Sequence, residues 1–235
     1  MAMLPVIILA GGLATRLRPL TETIPKSLVE INGRPFLDHQ MRLLSANGVT
    51  RVVLSVAYRG EMIVEYLGDG SQYGIEVSYS FDGPVYLGTA GAIRKALPQL
   101  GDKFFTLYGD SYLTAPFADV ERTFLESGKE ALMTVYRNGG LFDTSNVEFA
   151  RGHIVAYDKS ALTDRMQYID YGLGVFRATV FAGLAEGERC DLATLYQDVL
   201  RRGELAAYEV TERFYEIGTV SGIEDTSRFL TERGL

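Results

Sequence analysis

Cysteine and histidine are scarce in this sequence. Its 235 residues include one cysteine, Cys190, and two histidines, His39 and His153. A single cysteine cannot form a disulfide within the chain, and these side chains are too few for a structural zinc site. The same scarcity excludes most catalytic triads, because neither histidine stands beside a serine or cysteine in a nucleophile motif. We therefore expect these side chains to be structural.

Long apolar runs and an excess of positive charge are also missing. Residues Met1 to Met3 carry no basic side chain, and the apolar run that follows is too short for a signal peptide or a membrane span. The net charge is −7, with 23 basic and 30 acidic residues, whereas a protein that binds a phosphate backbone needs a broad basic surface. The sequence predicts a cytoplasmic protein that binds neither a membrane nor a nucleic acid.

The opening third has the pattern of an α/β fold. Apolar residues make up 47% of the chain and charged residues 23%, as in an ordinary globular protein. Predicted strands at 6–10, 51–57, 75–80 and 103–108 alternate with predicted helices at 35–47 and 61–67 and with a helix that stops near Pro98. Such alternation predicts parallel strands joined by right-handed crossovers. The expected fold is doubly wound and Rossmann-like, with a mostly parallel, mixed sheet.

The second half is richer in strands. A helix at 116–128 and a strand at 131–136 precede strands at 146–149, 153–157 and 173–176. We expect these three strands to form a lid or a small β-rich sugar-side subdomain outside the core. A helix at 191–200, a strand at 205–210 and a final helix after Thr219 complete the pattern. No linker or repeat interrupts it, so we expect residues 1–235 to form a single domain.

A glycine-led, cationic segment follows the first strand. Gly11 and Gly12 stand where ligands bind in open α/β sheets, at the carboxyl end of a buried strand. From there to residue 34 the chain carries four basic and two acidic residues, a local charge of +2. Main-chain donors combined with Arg and Lys suit the oxygens of a polyphosphate. Taken singly, these features are also typical of a tight turn and a solvated loop.

The complete pattern from Ala10 to Lys26 is AGG-x-x-TR-x-x-PLT-x-x-x-PK. It resembles the nucleotide-binding loop of the sugar-1-phosphate nucleotidyltransferases, the enzymes that make nucleoside-diphosphate sugars. The chain departs from the family at Ala14, which is usually glycine, and at Ser27, which is commonly proline. The resemblance implies that Arg16 holds the β and γ phosphates and that Lys26 bridges the α phosphate and the sugar phosphate. It also implies nucleotide contacts for Leu9, Ala10, Gly11, Gly12 and Thr15.

Small residues precede the helix that follows residue 87. Composition alone favours ligand contact and close helix packing equally there. The sequence LGTAGAI is similar to the second nucleotide-contacting segment of the family, which implies that Gly88, Thr89 and Ala90 flank the base or ribose.

Asp110 follows the strand 103–108, so its carboxylate faces the same crevice as the glycine loop and is suited to a hard divalent cation. Seen alone, a Gly-Asp pair is also typical of a turn or a helix cap. Its position matches the metal-binding aspartate of the family. The sequence Phe214 to Thr219, FYEIGT, resembles the family's Asp-x-Gly-Thr segment, with Glu216 in place of the aspartate. Asp110 and Glu216 are therefore the predicted Mg²⁺ ligands.

Two segments resemble the sugar side of the family site. Tyr157-Asp158-Lys159-Ser160 is similar to a glutamate-lysine-proline segment, which implies that Lys159 contacts the sugar phosphate, although a solvated turn lysine is the alternative. Tyr171-Gly172-Leu173-Gly174 looks like the sugar-facing turn. This likeness predicts that Gly172 approaches the sugar ring while Asp170 or Tyr171 bonds to its hydroxyls.

The resemblance implies a Mg²⁺-dependent reaction between a nucleoside triphosphate and a sugar 1-phosphate. Residues 1–115 would form the nucleotide-binding half and residues 116–235 the sugar-binding half, in a homodimer. The chain looks most like guanylyltransferases for mannose or manno-heptose 1-phosphate. A uridylyltransferase for N-acetylmuramate 1-phosphate and a cytidylyltransferase for a small phosphorylated alcohol are alternatives, and a non-catalytic regulatory subunit that binds nucleotide sugars is an alternative of another class.

Overall fold

The computed structural model describes residues 3–12, 17, 19–83 and 85–235. The helices in this part of the chain are α1 Phe36–Ala46, α2 Gly60–Leu67, α3 Gly88–Leu100, α4 Phe117–Ser127, α5 Leu192–Arg201 and α6 Val220–Glu232. The strands are β1 Val6–Leu9, β2 Glu30–Ile31, β3 Arg34–Pro35, β4 Arg51–Val56, β5 Glu76–Phe81, β6 Lys103–Tyr108, β7 Ser111–Tyr112, β8 Ala131–Tyr136, β9 Val147–Ala150, β10 His153–Tyr157, β11 Ile169–Arg177, β12 Leu205–Val210 and β13 Tyr215–Glu216.

Within the described residues, seven strands form the main sheet in the order β12-β8-β11-β6-β1-β4-β5. β1 pairs in parallel with β4 and β6, β4 with β5, and β8 with β12, while β11 runs antiparallel to both of its neighbours. The predicted fold class, a mostly parallel mixed sheet of the doubly wound type, is confirmed.

The alternation of side chains along β1 builds a core on both faces of the sheet. Val6 and Ile8 pack in one cluster with apolar residues of α1, α2 and α4. Ile7 points to the other face and packs in a second cluster with residues of α3 and α5. Because successive strand residues face opposite sides, an uninterrupted apolar run is what a strand covered on both faces requires.

The predicted position outside the core is wrong for one of the three strands. β11 contains the expected strand 173–176, but it lies inside the main sheet, between β8 and β6. The physical reason for this position is burial, because the two core clusters cover most residues of β11 on both faces of the sheet. β9 and β10 do stand apart, as a separate antiparallel pair.

Pro98 does not stop α3, which continues to Leu100. A proline removes one backbone donor from a helix interior, and only a short piece of α3 follows it. The helix ends instead before Gly101, whose φ of +79° is a left-handed conformation that glycine adopts readily.

The short strands near the carboxyl terminus connect distant segments. β13 pairs antiparallel with β7, with Glu216 opposite Ser111. The first turn of α6 follows, and the hydroxyl of Thr219 accepts a hydrogen bond from the amide of Gly222 at its amino end. In the ranges described, no helix is both long enough and apolar enough to cross a bilayer.

Candidate active site

A cavity of about 270 Å³ lies at the carboxyl ends of β1, β4, β5 and β6. Its lining comes from the first half of the chain, together with one glycine from the segment before α6. The lining residues are Leu9, Ala10, Gly11, Gly12, Lys26, Ser27, Ser55, Asp82, Tyr86, Gly88, Thr89, Ala92, Tyr108, Gly109, Asp110 and Gly218. Most of the predicted nucleotide-binding residues are therefore brought together.

The turns after β1 and β6 pass very close to each other. The amide of Gly109 donates to the backbone oxygen of Leu9 at 3.0 Å. A β-carbon at position 109 would lie 2.9 Å from Cα of Ala10, closer than real contacts allow. Glycine at 109 thus lets Asp110 emerge directly beside the glycine loop.

Lys26 reaches into the cavity. It begins a short 3₁₀ helix, Lys26–Leu28, directly after Pro25. Its amino group lies 2.5 Å from Oδ2 of Asp110, and the two side chains are 16% and 30% exposed. Two residues that are far apart in sequence and assigned to different tasks are in direct contact.

Gln40 of α1 holds the turn that carries Asp110. Its side-chain amide donates to the backbone oxygens of Tyr108 at 3.0 Å and Ser111 at 2.8 Å, one on each side of the aspartate. Gln40 is completely buried. No sequence pattern indicated this residue, because a side chain that bonds to a distant backbone leaves no local pattern.

Glu216 is a backbone neighbour of the same turn. The amide of the next residue, Ile217, donates to the backbone oxygen of Asp110 at 2.9 Å. Glu216 itself lines a second cavity of about 200 Å³, together with Arg213, Thr219 and other residues around the start of α6. Its role as a metal ligand stays a prediction.

The small residues at the start of α3 are explained mainly by packing. Gly88 has a φ of +70°, and a β-carbon there would lie 2.5 Å from the backbone oxygen of Cys190. That oxygen accepts from the amide of Ala90 at 3.0 Å, and the hydroxyl of Thr89 accepts from the amide of Leu192. Segment 188–192 therefore covers this helix end. Gly88 and Thr89 still line the cavity.

Ala90, another predicted nucleotide contact, does not line the cavity. It is fully buried in the core cluster that contains Ile7. Its amide donates to the backbone oxygen of Cys190, so in this structure Ala90 packs against its own chain. The expected contact with a base or ribose stays a prediction.

The sugar-side residues form a neighbouring group. Oδ1 of Asp170 accepts from the amide of Gly172 at 3.1 Å, and Oδ2 accepts from the hydroxyl of Tyr157 at 3.4 Å. Burial raises the pKa of Asp170, and the charge of Lys159 acts in the opposite direction. Lys159 is itself ion-paired with Asp191 at 3.6 Å. This group lies outside the lining of the main cavity.

Tyr108 connects the two groups. It lines the main cavity, and a β-carbon on Gly172 would lie 3.4 Å from its ring. Burial raises the pKa of Tyr108, and Asp170, Asp191 and Asp110 add to the rise because all three carboxylates are near. The sugar-side group is therefore next to the cavity, beyond this ring.

Tyr171 faces the core. It is 2% exposed and packs against Tyr136 and Phe214. Its hydroxyl donates to the backbone oxygen of Arg213. Of the two residues predicted to bond to sugar hydroxyls, the geometry favours Asp170. Thr15 and Arg16, the remaining predicted site residues, lie outside the described residues.

The sheet order and the cavity at the strand ends define a doubly wound α/β protein with a cavity where such folds bind their ligands. A sequence model described as "Nucleotidyl transferase" matches residues 5–145. The chain belongs to this family. The resemblance drawn from the AGG loop is thereby confirmed.

Individual relatives differ in substrate and in length. N-acetylmuramate alpha-1-phosphate uridylyltransferase of Neisseria meningitidis serogroup B is 29% identical over 93% of this chain and 95% of its own length. Mannose-1-phosphate guanyltransferase of Eremothecium gossypii is 44% identical over 48% of this chain, and the match spans 32% of that enzyme. The structure of the inositol-1-phosphate CTP transferase of T. maritima superposes with a TM-score of 0.77, at 25% identity, over 99% of this chain and 96% of that one.

Proposed function

We propose that the protein transfers a nucleotidyl group from a nucleoside triphosphate to a sugar 1-phosphate. A phosphate oxygen of the sugar 1-phosphate attacks the α phosphorus, the bond from that phosphorus to the bridging oxygen breaks, and pyrophosphate leaves with the electron pair. The observation that carries the proposal is the meeting of Gly11, Gly12, Lys26 and Asp110 in one cavity of a nucleotidyl transferase family member.

The reaction needs charge and position more than proton transfer. A phosphate nucleophile is already ionised at neutral pH, so the attack requires no general base. The histidines support this, because His39 is buried with its ring bonded to the backbone oxygen of Ile31 and His153 is exposed on β10. Lys26 acts at the α phosphate, Arg16 at the departing pyrophosphate and Lys159 at the attacking phosphate.

We propose Mg²⁺ as the divalent metal of the reaction, because carboxylate oxygens are the ligands that it prefers. In the described part of the chain no three His, Cys, Asp or Glu side chains come together as a metal-binding group. Mg²⁺ needs fewer, because it is usually held by one or two carboxylates with substrate phosphates and water. Asp110 and Glu216 would hold it, and it would neutralise charge on the phosphate oxygens.

Residues 1–115 then serve the nucleotide and residues 116–235 the sugar, with Asp170 and Gly172 at the ring. Guanine is our first choice of base, with mannose or manno-heptose 1-phosphate as the acceptor. The full-length similarity to a uridylyltransferase makes UTP with N-acetylmuramate 1-phosphate the second candidate. A homodimer stays a prediction.

Pyrophosphate release tests the proposal. The protein is assayed with GTP, UTP, CTP and dTTP, each against mannose, manno-heptose and N-acetylmuramate 1-phosphates and a small phosphorylated alcohol, with Mg²⁺ or with a chelator. We expect turnover with one pair, lost on chelation and restored by Mg²⁺. Nucleotide binding without turnover for every pair would contradict the proposal and favour a regulatory subunit.

A further inference from the structure

The turn after β4 carries an arginine in a left-handed backbone conformation. Arg59 has a φ of +53° and a ψ of +34°, and it directly precedes α2. Residues other than glycine rarely adopt this conformation, and those that do are enriched in asparagine and aspartate. A strained residue of this kind often marks a position where the side chain has a task.

The strain follows from how closely α2 begins beside β4. Gly60, the first residue of α2, donates from its amide to the backbone oxygen of Ala57 at 3.2 Å. A β-carbon on Gly60 would lie 2.9 Å from Cβ of Val56, so the helix starts in direct contact with the strand. The arginine gives this tight turn no backbone advantage. The contacts of its side chain are therefore the feature to explain.

The side chains of Tyr58 and Arg59 meet at one backbone oxygen of the cationic segment. The hydroxyl of Tyr58 donates to the backbone oxygen of Glu22 at 2.9 Å, and Nη2 of Arg59 donates to the same oxygen at 3.1 Å. Nε of Arg59 donates to the hydroxyl of Tyr58 at 2.9 Å. The planar guanidinium thus binds two acceptors with two adjacent N–H groups, a geometry that lysine cannot reproduce. We call these two side chains the clamp.

The clamp holds the chain just before Lys26. Glu22 is the last residue of a short 3₁₀ helix, Leu20–Glu22, and the final carbonyl oxygens of a helix need partners outside it. Pro25 is buried and leads into the 3₁₀ helix that begins at Lys26. On the other side, the backbone oxygen of Lys26 accepts from the amide of Val29 at 3.1 Å. The backbone is therefore bonded both before and after Lys26.

The end of β4 and its turn also support the glycine loop. The amide of Ala10 donates to the backbone oxygen of Ser55 at 2.8 Å. A β-carbon on Gly11 would lie 3.3 Å from Cβ of Ala57. The same short segment therefore contacts the glycine loop and, through the clamp, the chain that leads to Lys26. A ligand that contacts both binds best when their separation is already fixed.

We propose that the clamp positions Lys26 relative to the glycine loop, so that a triphosphate meets both without first ordering the chain from Glu22 to Lys26. Tyr58 and Arg59 are positioning residues, because neither belongs to the described lining of the main cavity. The proposal rests on the proposed function, since it assumes that the phosphates of the substrate contact the glycine loop and Lys26. Without the clamp, the entropy cost of ordering this chain is subtracted from the binding free energy.

The substitution Arg59→Asn removes half of the clamp and keeps the turn. Asparagine adopts the left-handed conformation more readily than arginine and is favoured at the start of a helix, but it is too short to reach Glu22. We expect unfolding in urea at the wild-type midpoint, because the better backbone fit offsets the lost hydrogen bonds. Calorimetry with GTP and with UTP, each with Mg²⁺, should show binding weaker by about 5- to 50-fold, as for the loss of two hydrogen bonds.

Hydrogen exchange tests the positioning without any substrate. In the Arg59→Asn protein, peptides that cover residues 19–28 should exchange about 5-fold faster or more, by the same loss of hydrogen bonds. The amides of Glu22 and Leu28, which are bonded within this range, report the change. Peptides from β6 and β8 should keep the wild-type rate. Unchanged exchange of residues 19–28 would overturn the proposal.

The matched control is Arg151→Asn. Arg151 also has a φ of +53°, is exposed in the turn between β9 and β10, and does not line the main cavity. The same substitution in the same backbone conformation should change neither triphosphate affinity nor exchange of residues 19–28. Equal effects of the two substitutions would show that the backbone conformation matters and the clamp does not.

Two further variants separate the parts of the clamp. Arg59→Lys keeps one donor near Glu22 but cannot bond to Tyr58 at the same time, so its affinity should lie between those of the wild type and Arg59→Asn. Tyr58→Phe removes only the hydroxyl and should weaken binding about 2- to 10-fold. In the double variant Tyr58→Phe with Arg59→Asn the losses should not add, because the two side chains bond to each other. Additive losses would overturn the clamp as a unit.

The two proposals fail differently. Absence of pyrophosphate release with every substrate pair would overturn the proposed reaction, while exchange of residues 19–28 in the substrate-free protein would still decide the clamp. Where turnover is measured, KM for the triphosphate should rise in Arg59→Asn more than kcat falls, because the bound nucleotide itself orders the chain. Turnover with a wild-type KM in the folded variant would overturn the clamp and leave the reaction standing.

Discussion

The amino group of Lys26 lies 2.5 Å from the carboxylate of Asp110, although the two residues are 84 positions apart in sequence. Each side chain neutralises the charge of the other in a mostly buried site. An incoming phosphate would compete for Lys26, and a divalent cation would compete for Asp110. Binding of a phosphate and a cation would therefore replace this ion pair with contacts from Lys26 to the phosphate and from Asp110 to the cation.

The first prediction concerns Lys26→Ala. Removing the cation should leave the fold intact, because the side chain of Asp110 is 30% exposed and can take up water. Turnover should fall on the order of 10²- to 10³-fold, as for the loss of one preorganised charged contact. Pyrophosphate release and thermal unfolding measure the two effects, with Lys103→Ala at the other end of β6 as the control. Wild-type turnover in a folded Lys26→Ala protein would remove Lys26 from the mechanism.

The second prediction concerns Gln40→Met. Methionine fills a similar volume but cannot donate to the backbone of Tyr108 and Ser111, so the turn that presents Asp110 loses its support. We expect activity to fall about 10- to 100-fold, as for other outer partners of a metal ligand. Stability should change less, because the substitution also removes Oε1, a buried acceptor without a partner among the described atoms.

The positioning role of Gln40 predicts a shift in the Mg²⁺ concentration that gives half-maximal rate. The control is Gln72→Met, at an exposed position before β5. A loss of stability with unchanged rate per folded molecule and unchanged Mg²⁺ dependence would show that Gln40 is only structural.

The third prediction compares two glycines of the site. Gly109→Ala places a β-carbon 2.9 Å from backbone atoms of β1 and the following residue, which must move. We expect a loss of about 1–3 kcal/mol in the free energy of unfolding, as for overpacking. Gly12→Ala meets nothing within 4 Å and should unfold like the wild type.

Nucleotide affinity should distinguish the two substitutions differently from stability. Gly12→Ala should weaken nucleotide binding although it leaves stability unchanged, because its methyl group enters the space of the ligand. Urea unfolding and calorimetry with GTP measure the two properties. Equal stability of the two variants would contradict the close approach of the turns after β1 and β6.

The bounds of individual strands were predicted from the sequence more accurately than the pairing between strands. β6, β8 and β12 were placed at their observed bounds because continuous apolar runs between turn residues identify a buried strand. The place of β11 inside the sheet was missed, because pairing with β6 and β8 depends on contacts between distant residues. The apolar run of β11 indicates burial but does not identify which strands cover it.

The site shows the same division. Asp110 was predicted to face the crevice because it follows a core strand, and it does line the main cavity. The family assignment based on the glycine loop is confirmed. Asp82 follows β5 in the same way and could have been found by the same rule. Gln40 and the packing of segment 188–192 on Gly88 could not, since both depend on backbone atoms that come together only in the folded chain.

The last prediction concerns the pH dependence of stability at Asp38. This carboxylate is 8% exposed on α1, where Arg42 donates to it at 2.7 Å and the hydroxyl of Tyr73 at 2.7 Å. Burial acts to raise the pKa of Asp38, but the hydrogen bonds from Arg42, Tyr73 and Arg34, with the charge of Arg42, outweigh it, and the pKa is lowered from 3.8.

A lowered pKa in the native state means that the unfolded chain binds a proton first as the pH falls. The stabilisation by Asp38 is therefore complete above the unfolded value of 3.8 and is lost as the pH falls through the lower native value. We expect Asp38→Asn to lower the free energy of unfolding by about 1–3 kcal/mol at pH 7, as for hydrogen bonds to a charged group. The difference from wild type should shrink below pH 3.8, because the protonated wild type resembles the amide. Urea unfolding from pH 3 to pH 7 measures this difference, with Asp102→Asn as the control, and a constant difference across the series would show that the ionised form of Asp38 contributes nothing.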